Sequence, residues 1–263
     1  MPAGPWEAAV TAESDPKETS PYSARCDATT KTDYGLTHAG RDHFDAQGAA
    51  VKQIDCVVFD VGNVLVRWDP RNLYRRMGYS DADTVSILAE IGLLEINHRV
   101  LDAGEQFTAT LEALIERFPR HAEFIHAFDE RWAELLGGAI PATVAILKAL
   151  KQAGVPVHAI SNYNREKFDI ARGLFPFLEV FDELILSGDV RVVKPDPEIF
   201  KLLIRRRNLD VRRTVFIDDS AVNVATADQL GFATIHFNEA TTDLRTELLR
   251  LGLPAEVITE KRT

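Results

Sequence analysis

Six residues of this chain have the types and placement that chemistry at a phosphate or a cation would use: Asp60, Ser161, Asn162, Lys194, Asp218 and Asp219. Asp60 ends the apolar run Val57, Val58, Phe59, and Gly62, two residues on, lets the backbone turn sharply beside it. Ser161 and Asn162 follow the run from Val155 to Ile160, and Asp218 with Asp219 follows Thr214 to Ile217. Each also has an ordinary structural use. Asp60 can cap a turn, Ser161 and Asn162 a helix, Lys194 can be a solvated lysine, and the acidic pair can face a helix N-terminus. Their shared position at the carboxyl ends of strands favours a site, because ligands of an open parallel sheet gather there and caps alone do not collect opposite charges.

The elements that must bring these groups together are repeated strand–helix units. From Pro141 the chain reads as a helix to Ala153, a strand to Ile160, a helix over 165–174, a short strand over 183–186 and a helix over 198–207. A strand over 214–217, a helix over 223–230, a strand over 233–237 and a last helix over 243–251 complete it. Such alternation predicts an α/β fold with a doubly wound, Rossmann-like, mostly parallel sheet. Between Pro70 and Leu136 the alternation breaks. Ser80 caps one helix, with Asp81 and Asp83 in its first turn. Phe107, Leu111, Leu114, Ile115 and Phe118 share a face of a second that Pro119 ends, and Phe124, Ile125, Phe128, Trp132 and Leu135 mark a third. These stripes read as core, and the segment as a small helical bundle inserted after the first strand. The expected organisation is an extension over 1–50, a core over 51–68 and 138–255, and a helical cap over 69–137. The extension is rich in Ser, Thr, Asp, Ala and Gly without apolar period and reads as disordered or loosely attached.

Three carboxylates with one lysine among them repel one another unless a cation lies between them. Hard oxygen ligands with no cysteine and no suitably placed histidine select Mg²⁺ over zinc. Asp60 and Asp219 would bind it directly, the Gly62 carbonyl would be a third ligand, and Asp218 would act directly or through water. The remaining Asp60 oxygen could attack phosphorus and form an aspartyl phosphate that water hydrolyses. Lys194 would offset charge on Asp60 and on the phosphoryl oxygens, while Ser161, Asn162, Gly62, Asn63 and nearby backbone N–H groups would hold the phosphate.

The stretches FDVGNVL around Asp60, ISN ending at Asn162, VVKPDPEIF around Lys194 and FIDDS around Asp218 and Asp219 together resemble the four motifs of the haloacid dehalogenase superfamily of phosphohydrolases, in the subgroup whose helical cap follows the first strand. The resemblance runs from about Cys56 to Phe237. It implies an Asp nucleophile, Mg²⁺ and a cap that closes over a small phosphorylated substrate. One departure stands out: phosphatases of this family usually carry a second aspartate two residues after the nucleophile, and here that position is Gly62. The GNV sequence is similar to a branch that dephosphorylates sugar phosphates such as glucose 1-phosphate, whose anomeric leaving group eases the loss of an acid. Asp69 and Glu105 are the expected stand-ins. Arg67, Trp68 and Asp69 read chiefly as hinge packing, with sugar binding as the rival use, and His158 and His236 as packed or surface groups.

The expected function is a Mg²⁺-dependent hydrolase of a small-molecule phosphate ester, preferably a sugar phosphate. A 2-haloacid dehalogenase and a non-catalytic metabolite-binding protein on the same scaffold are the alternatives, the latter motivated by Gly62. A net charge of -10 argues against nucleic acid and anionic membranes as partners. No apolar run approaches the ~20 residues of a membrane helix, and two cysteines without framework or ligand spacing fit a reducing cytoplasm. The sequence sets no oligomeric state.

Overall fold

The computed structural model describes residues 53–258, together with the backbone of one short antiparallel pair of strands at 43–44 and 50–51. The rest of the expected extension over 1–50 lies outside the described residues. Five strands form one parallel sheet: β1 (Cys56–Phe59), β4 (Val157–Ser161), β5 (Glu183–Leu186), β6 (Thr214–Asp218) and β7 (Ala233–His236), in the order β5-β4-β1-β6-β7. All residues of β1, β4 and β6 are buried, as expected of central strands covered by helices on both faces. The chain winds outward from β1 to β4 and β5, then crosses to β6 and β7. The order reverses between β1 and β6, which makes their carboxyl ends the switch point of the sheet.

After β1 the chain leaves through β2 (Val66–Trp68) and returns through β3 (Leu136–Ala139), which pair antiparallel. This two-stranded ribbon was not expected from the sequence; its strands are short and β3 holds Gly137 and Gly138, so neither shows an alternating pattern. Between them run α1 (Arg71–Arg76), α2 (Asp81–Ile91), α3 (Leu93–Ile96), a π-helical turn over Asn97–Leu101, α4 (Phe107–Arg117) and α5 (Ala122–Glu130). Ser80 caps α2 as expected, accepting from the Asp83 amide at 3.1 Å. The rings of Tyr74 and Phe124 stack at 3.5 Å, and the Tyr74 hydroxyl donates to the Phe124 carbonyl at 3.0 Å. Of the remaining α-helices, α6 (Pro141–Gln152) follows the ribbon, and α7 (Arg165–Leu174), α8 (Ser187–Val190), α9 (Pro197–Arg207), α10 (Ala221–Gln229), α11 (Leu244–Arg250) and α12 (Ala255–Ile258) come after strands of the sheet. Among the described residues no helix is long and apolar enough to cross a membrane.

The inserted segment is seated on the sheet edge by a close backbone approach. Gly104 has φ +97°, and a Cβ there would lie 2.4 Å from the Gly188 carbonyl oxygen. Gly104→Ala is therefore expected to cost at least about 2 kcal/mol, from backbone strain together with the clash. Gly78, at φ +91° with open space around its would-be Cβ, supplies the control: Gly78→Ala should cost only the left-handed penalty of about 1–2 kcal/mol. Urea melts of the two variants check the difference.

Candidate active site

β1, β4 and β6 deliver Asp60, Ser161 and Asp218 to one edge, and the loop after α8 brings Lys194 across them. Lys194 is 1% exposed, and its Nζ lies 2.9 Å from Asp60 Oδ1 and 2.7 Å from Asp218 Oδ2. Asp60 Oδ1 also accepts from the Val61 amide at 2.7 Å and the Ser161 hydroxyl at 3.2 Å. Its Oδ2 has no hydrogen-bond partner among the described residues, so one oxygen of the carboxylate is fixed and the other is open. Asp218 differs: Oδ1 accepts from the Ser220 amide at 2.8 Å, and both oxygens accept from Asn223 Nδ2 at 3.1 Å. Asn223 had no part in the expected site, although its place in the first turn of α10, five residues past Asp218, is the signal that reveals it.

Asn162 does something other than the phosphate contact expected of it. Its Nδ2 donates to the Lys194 carbonyl at 2.9 Å and its Oδ1 accepts from the Lys194 amide at 2.7 Å, so the side chain clamps the lysine's backbone. Asn63 adopts φ +52°, a left-handed conformation that Asn tolerates, and its Oδ1 accepts from the Trp68 amide at 2.9 Å. His236 contacts the Asp219 carbonyl at 2.9 Å. His236 thus touches the acidic loop from the exposed end of β7, whereas His158 is buried in β4 with its Nδ1 lacking a hydrogen-bond partner among the described residues.

The electrostatics follow from burial. Desolvation, only partly offset by Lys194 and reinforced by Asp218 and Asp219, pushes the Asp60 carboxyl up to about 7. Burial and the neighbouring Asp218 also raise Asp219, with the nearby Asn63 side chain opposing them. For Lys194 burial opposes the charge, but attraction to Asp60 and Asp218 outweighs it and holds the ammonium above its ordinary value. The linkage has a definite sign. Unfolded, Asp60 titrates near ~3.9; folded, it holds its proton to about 7. The metal-free folded state binds more protons in that window, so its stability should fall as pH rises from about 4 to about 7. Thermal melts in EDTA should show this slope in the wild type and lose it in Asp60→Asn; parallel slopes would assign it elsewhere.

Asp60, Asp218 and Asp219 each offer an oxygen within 4.8 Å of the others. An all-oxygen acidic set whose members repel one another suits a hard divalent cation. Asp218 is wholly buried with both oxygens engaged, whereas Asp219 reaches the cavity, which suits Asp60 and Asp219 to direct ligation.

A cavity of about 340 Å³ opens over Asp60, with Gly62, Asn63, Ser161, Asn162 and Lys194 on its floor. Its upper wall is largely apolar and includes Trp68, Leu94, Phe107, Trp132 and Leu136. Phe107 and Trp132 are buried as expected of core, yet both face this cavity, and Trp68 lines it too. Arg67 instead pairs with Glu239 and donates to the Ala139 carbonyl at 2.8 Å. The two expected stand-ins for an acid are corrected. Asp69 is held by Arg71 at 2.9 Å, Glu105 lies 3.1 Å from Arg191, and neither lines the cavity. Their own ion pairs turn both carboxylates toward the surface. Asp102 and His98, which the sequence did not single out, do line it.

Fold and site together define a doubly wound α/β protein with a carboxylate-rich sheet edge beneath a helical insertion. The family model of the haloacid dehalogenase-like hydrolases matches residues 54–231, and the chain belongs to that family. It is 25% identical to a phosphorylated carbohydrates phosphatase of Thermotoga maritima, over 78% of this chain and 97% of that one. It is also 29% identical to (S)-2-haloacid dehalogenase 4A of Burkholderia cepacia, over 38% of this chain and 43% of that one. The chain spans only 38%, 43% and 52% of the length of three curated relatives, that dehalogenase among them. Among solved structures, a magnesium complex of a haloacid dehalogenase family enzyme from Bacteroides thetaiotaomicron superposes with a TM-score of 0.57 at 23% identity, covering 76% of this chain and all of that one.

Proposed function

We propose that this chain is a Mg²⁺-dependent phosphomonoester hydrolase that forms an aspartyl phosphate on Asp60. The observation that carries the reading is the division of labour within that carboxylate: Oδ1 is pinned by Val61, Ser161 and Lys194, while Oδ2 has no hydrogen-bond partner among the described residues. Asp60 Oδ2 attacks phosphorus, and the bond to the ester oxygen breaks on the opposite side. Water then attacks the phosphorus of the acyl phosphate and the carboxylate returns. Lys194 offsets charge on Asp60 and the phosphoryl group, Ser161 and the Gly62–Asn63 turn surround the phosphoryl oxygens, and Asn162 keeps Lys194 in place. Asp60, Asp219, the Gly62 carbonyl and, directly or through water, Asp218 would hold Mg²⁺, which when bound neutralises the acids and the phosphate. The helices over 69–137 serve as the cap that excludes water.

The sugar-phosphate preference is supported by the Thermotoga relative and by aromatic faces on the wall. The same wall, being mostly apolar, also suits an aliphatic or aryl phosphate. A 2-haloacid would bring its own carboxylate beside three others, which disfavours the dehalogenase reading. Two cysteines without a pairing pattern suit a reducing, cytoplasmic setting. The test is a panel of sugar 1-phosphates, sugar 6-phosphates, prenyl and aryl phosphates, and 2-chloropropionate, assayed with Mg²⁺ and with EDTA. Mg²⁺-dependent phosphate release supports the proposal and its best ester names the substrate class. Chloride release without metal, or Mg²⁺ binding without turnover of any compound, would sink it.

A further inference from the structure

We propose that Asp102, from the inserted segment, is the acid that protonates the leaving oxygen and the base that then activates water; this rests on the phosphohydrolase reading above. An alcohol cannot leave phosphorus readily as a bare alkoxide, so a positioned proton donor is needed for any ester of ordinary basicity. Gly62, beside the nucleophile, has no side chain to give, and a Cβ built there meets nothing within 4 Å. The donor must therefore come from elsewhere around the cavity.

Among the described residues, the ionisable groups that share the cavity with Asp102 are Asp60, Asp219, Lys194, Lys167, His98 and Tyr163. Asp60 is the nucleophile and Asp219 belongs to the acidic cluster. Lys194 is bound between two carboxylates, and Lys167 is tied to Asp129 and, at 3.1 Å, to Glu166. Burial keeps the His98 imidazole below its usual range and the Tyr163 phenol well above its own, so neither hands over a proton readily near neutrality. Asp102 is left.

Its placement is built. The π-helical turn over Asn97–Leu101 ends on it, the Asp102 amide donating to the Asn97 carbonyl at 2.8 Å. Such turns recur at functional sites. The Asp102 carbonyl accepts from the Ser187 hydroxyl at 2.5 Å, and Asn164 Nδ2 holds the Leu101 and Glu105 carbonyls at 3.0 and 3.1 Å. With Gly104 against Gly188, these contacts lock the segment to the sheet edge. The side chain is fixed at one oxygen only: Oδ2 accepts from Asn97 Nδ2 at 3.1 Å, and Oδ1 has no hydrogen-bond partner among the described residues. Burial, with Asp60 as the next cause and Lys194 opposing, holds this carboxyl well above the ordinary range, in the protonated form a donor needs. In the first step the Asp102 proton passes to the ester oxygen as its bond to phosphorus breaks. In the second the Asp102 carboxylate takes a proton from the water that attacks the phosphoenzyme, and the acid form is restored.

The experiment is a leaving-group series, from alkyl through phenyl to p-nitrophenyl phosphate, on wild type, Asp102→Asn and His98→Gln, with Mg²⁺. Asp102→Asn should lose about 10²- to 10⁴-fold on alkyl esters. On p-nitrophenyl phosphate it should show a rapid burst of nitrophenolate followed by slow turnover, as phosphoenzyme accumulates without its base. Adding Gly62→Asp to Asp102→Asn should restore part of the alkyl-ester rate. Equal losses across the series without a burst would reduce Asp102 to a structural role and overturn the proposal, as would the leaving-group pattern appearing in His98→Gln instead. Wild type alone offers a second check: the alkaline fall in kcat/KM should be present for alkyl and absent for p-nitrophenyl esters, and identical profiles would overturn the assignment. A wild type inert toward every ester overturns the hydrolase reading itself.

Discussion

Asp60→Asn is expected to lower Mg²⁺-dependent turnover by at least about 10⁴-fold while leaving the protein folded. The amide keeps the shape of the carboxylate and can still accept from Val61, Ser161 and Lys194 through its oxygen. What it lacks is the anionic Oδ2 that makes the bond to phosphorus. Because burial and two neighbouring acids make the wild-type charge costly, the metal-free variant should be at least as stable as wild type at neutral pH. Loss of activity without loss of stability separates a chemical role from a packing one. Turnover within tenfold of wild type would remove Asp60 as nucleophile.

Lys194→Met should be the most destabilising of the single substitutions at the site. The lysine is buried and bonded to two buried carboxylates, and methionine nearly fills its volume while leaving them to face each other. Breaking one side of a buried ion pair costs about 3–5 kcal/mol. The cost should be greatest at neutral pH and shrink toward acid, because Asp60 carries its proton below about 7 even with the lysine present. Turnover should fall by at least about 10²-fold, through lost compensation of charge on the phosphoryl group. Denaturant titrations at acid and neutral pH check both sign and size; a variant equally destabilised at both would mean that lost packing, not lost charge, dominates.

The central strands were legible because they are short, mostly apolar runs that stop at a polar residue, and the helix after Ser80 because that side chain caps it. Asp60, Ser161, Lys194 and the acidic pair could be grouped for the same reason: they end strands or lie just beyond them. The β2–β3 ribbon was not legible, since three or four residues with two glycines carry no period. Nor was Asp102, which is aimed by a π-helical turn and by hydrogen bonds from Ser187 and Asn164 that lie some sixty to eighty-five residues away in sequence. Asp69 and Glu105 were nearer to motifs, but Arg71 and Arg191 claim them. Helical periodicity marks Phe107 and Trp132 as buried and does not say whether they are buried by core or by cavity.

The most direct test of the account is a rapid acid quench of the protein turning over its best phosphate ester with Mg²⁺, followed by peptide mapping. A phosphoryl group on the peptide that contains Asp60, labile to hydroxylamine as an acyl phosphate is and missing from Asp60→Asn, is the predicted result. Steady phosphate release with no label on that peptide, in wild type and in the slow-turnover Asp102→Asn alike, would contradict it.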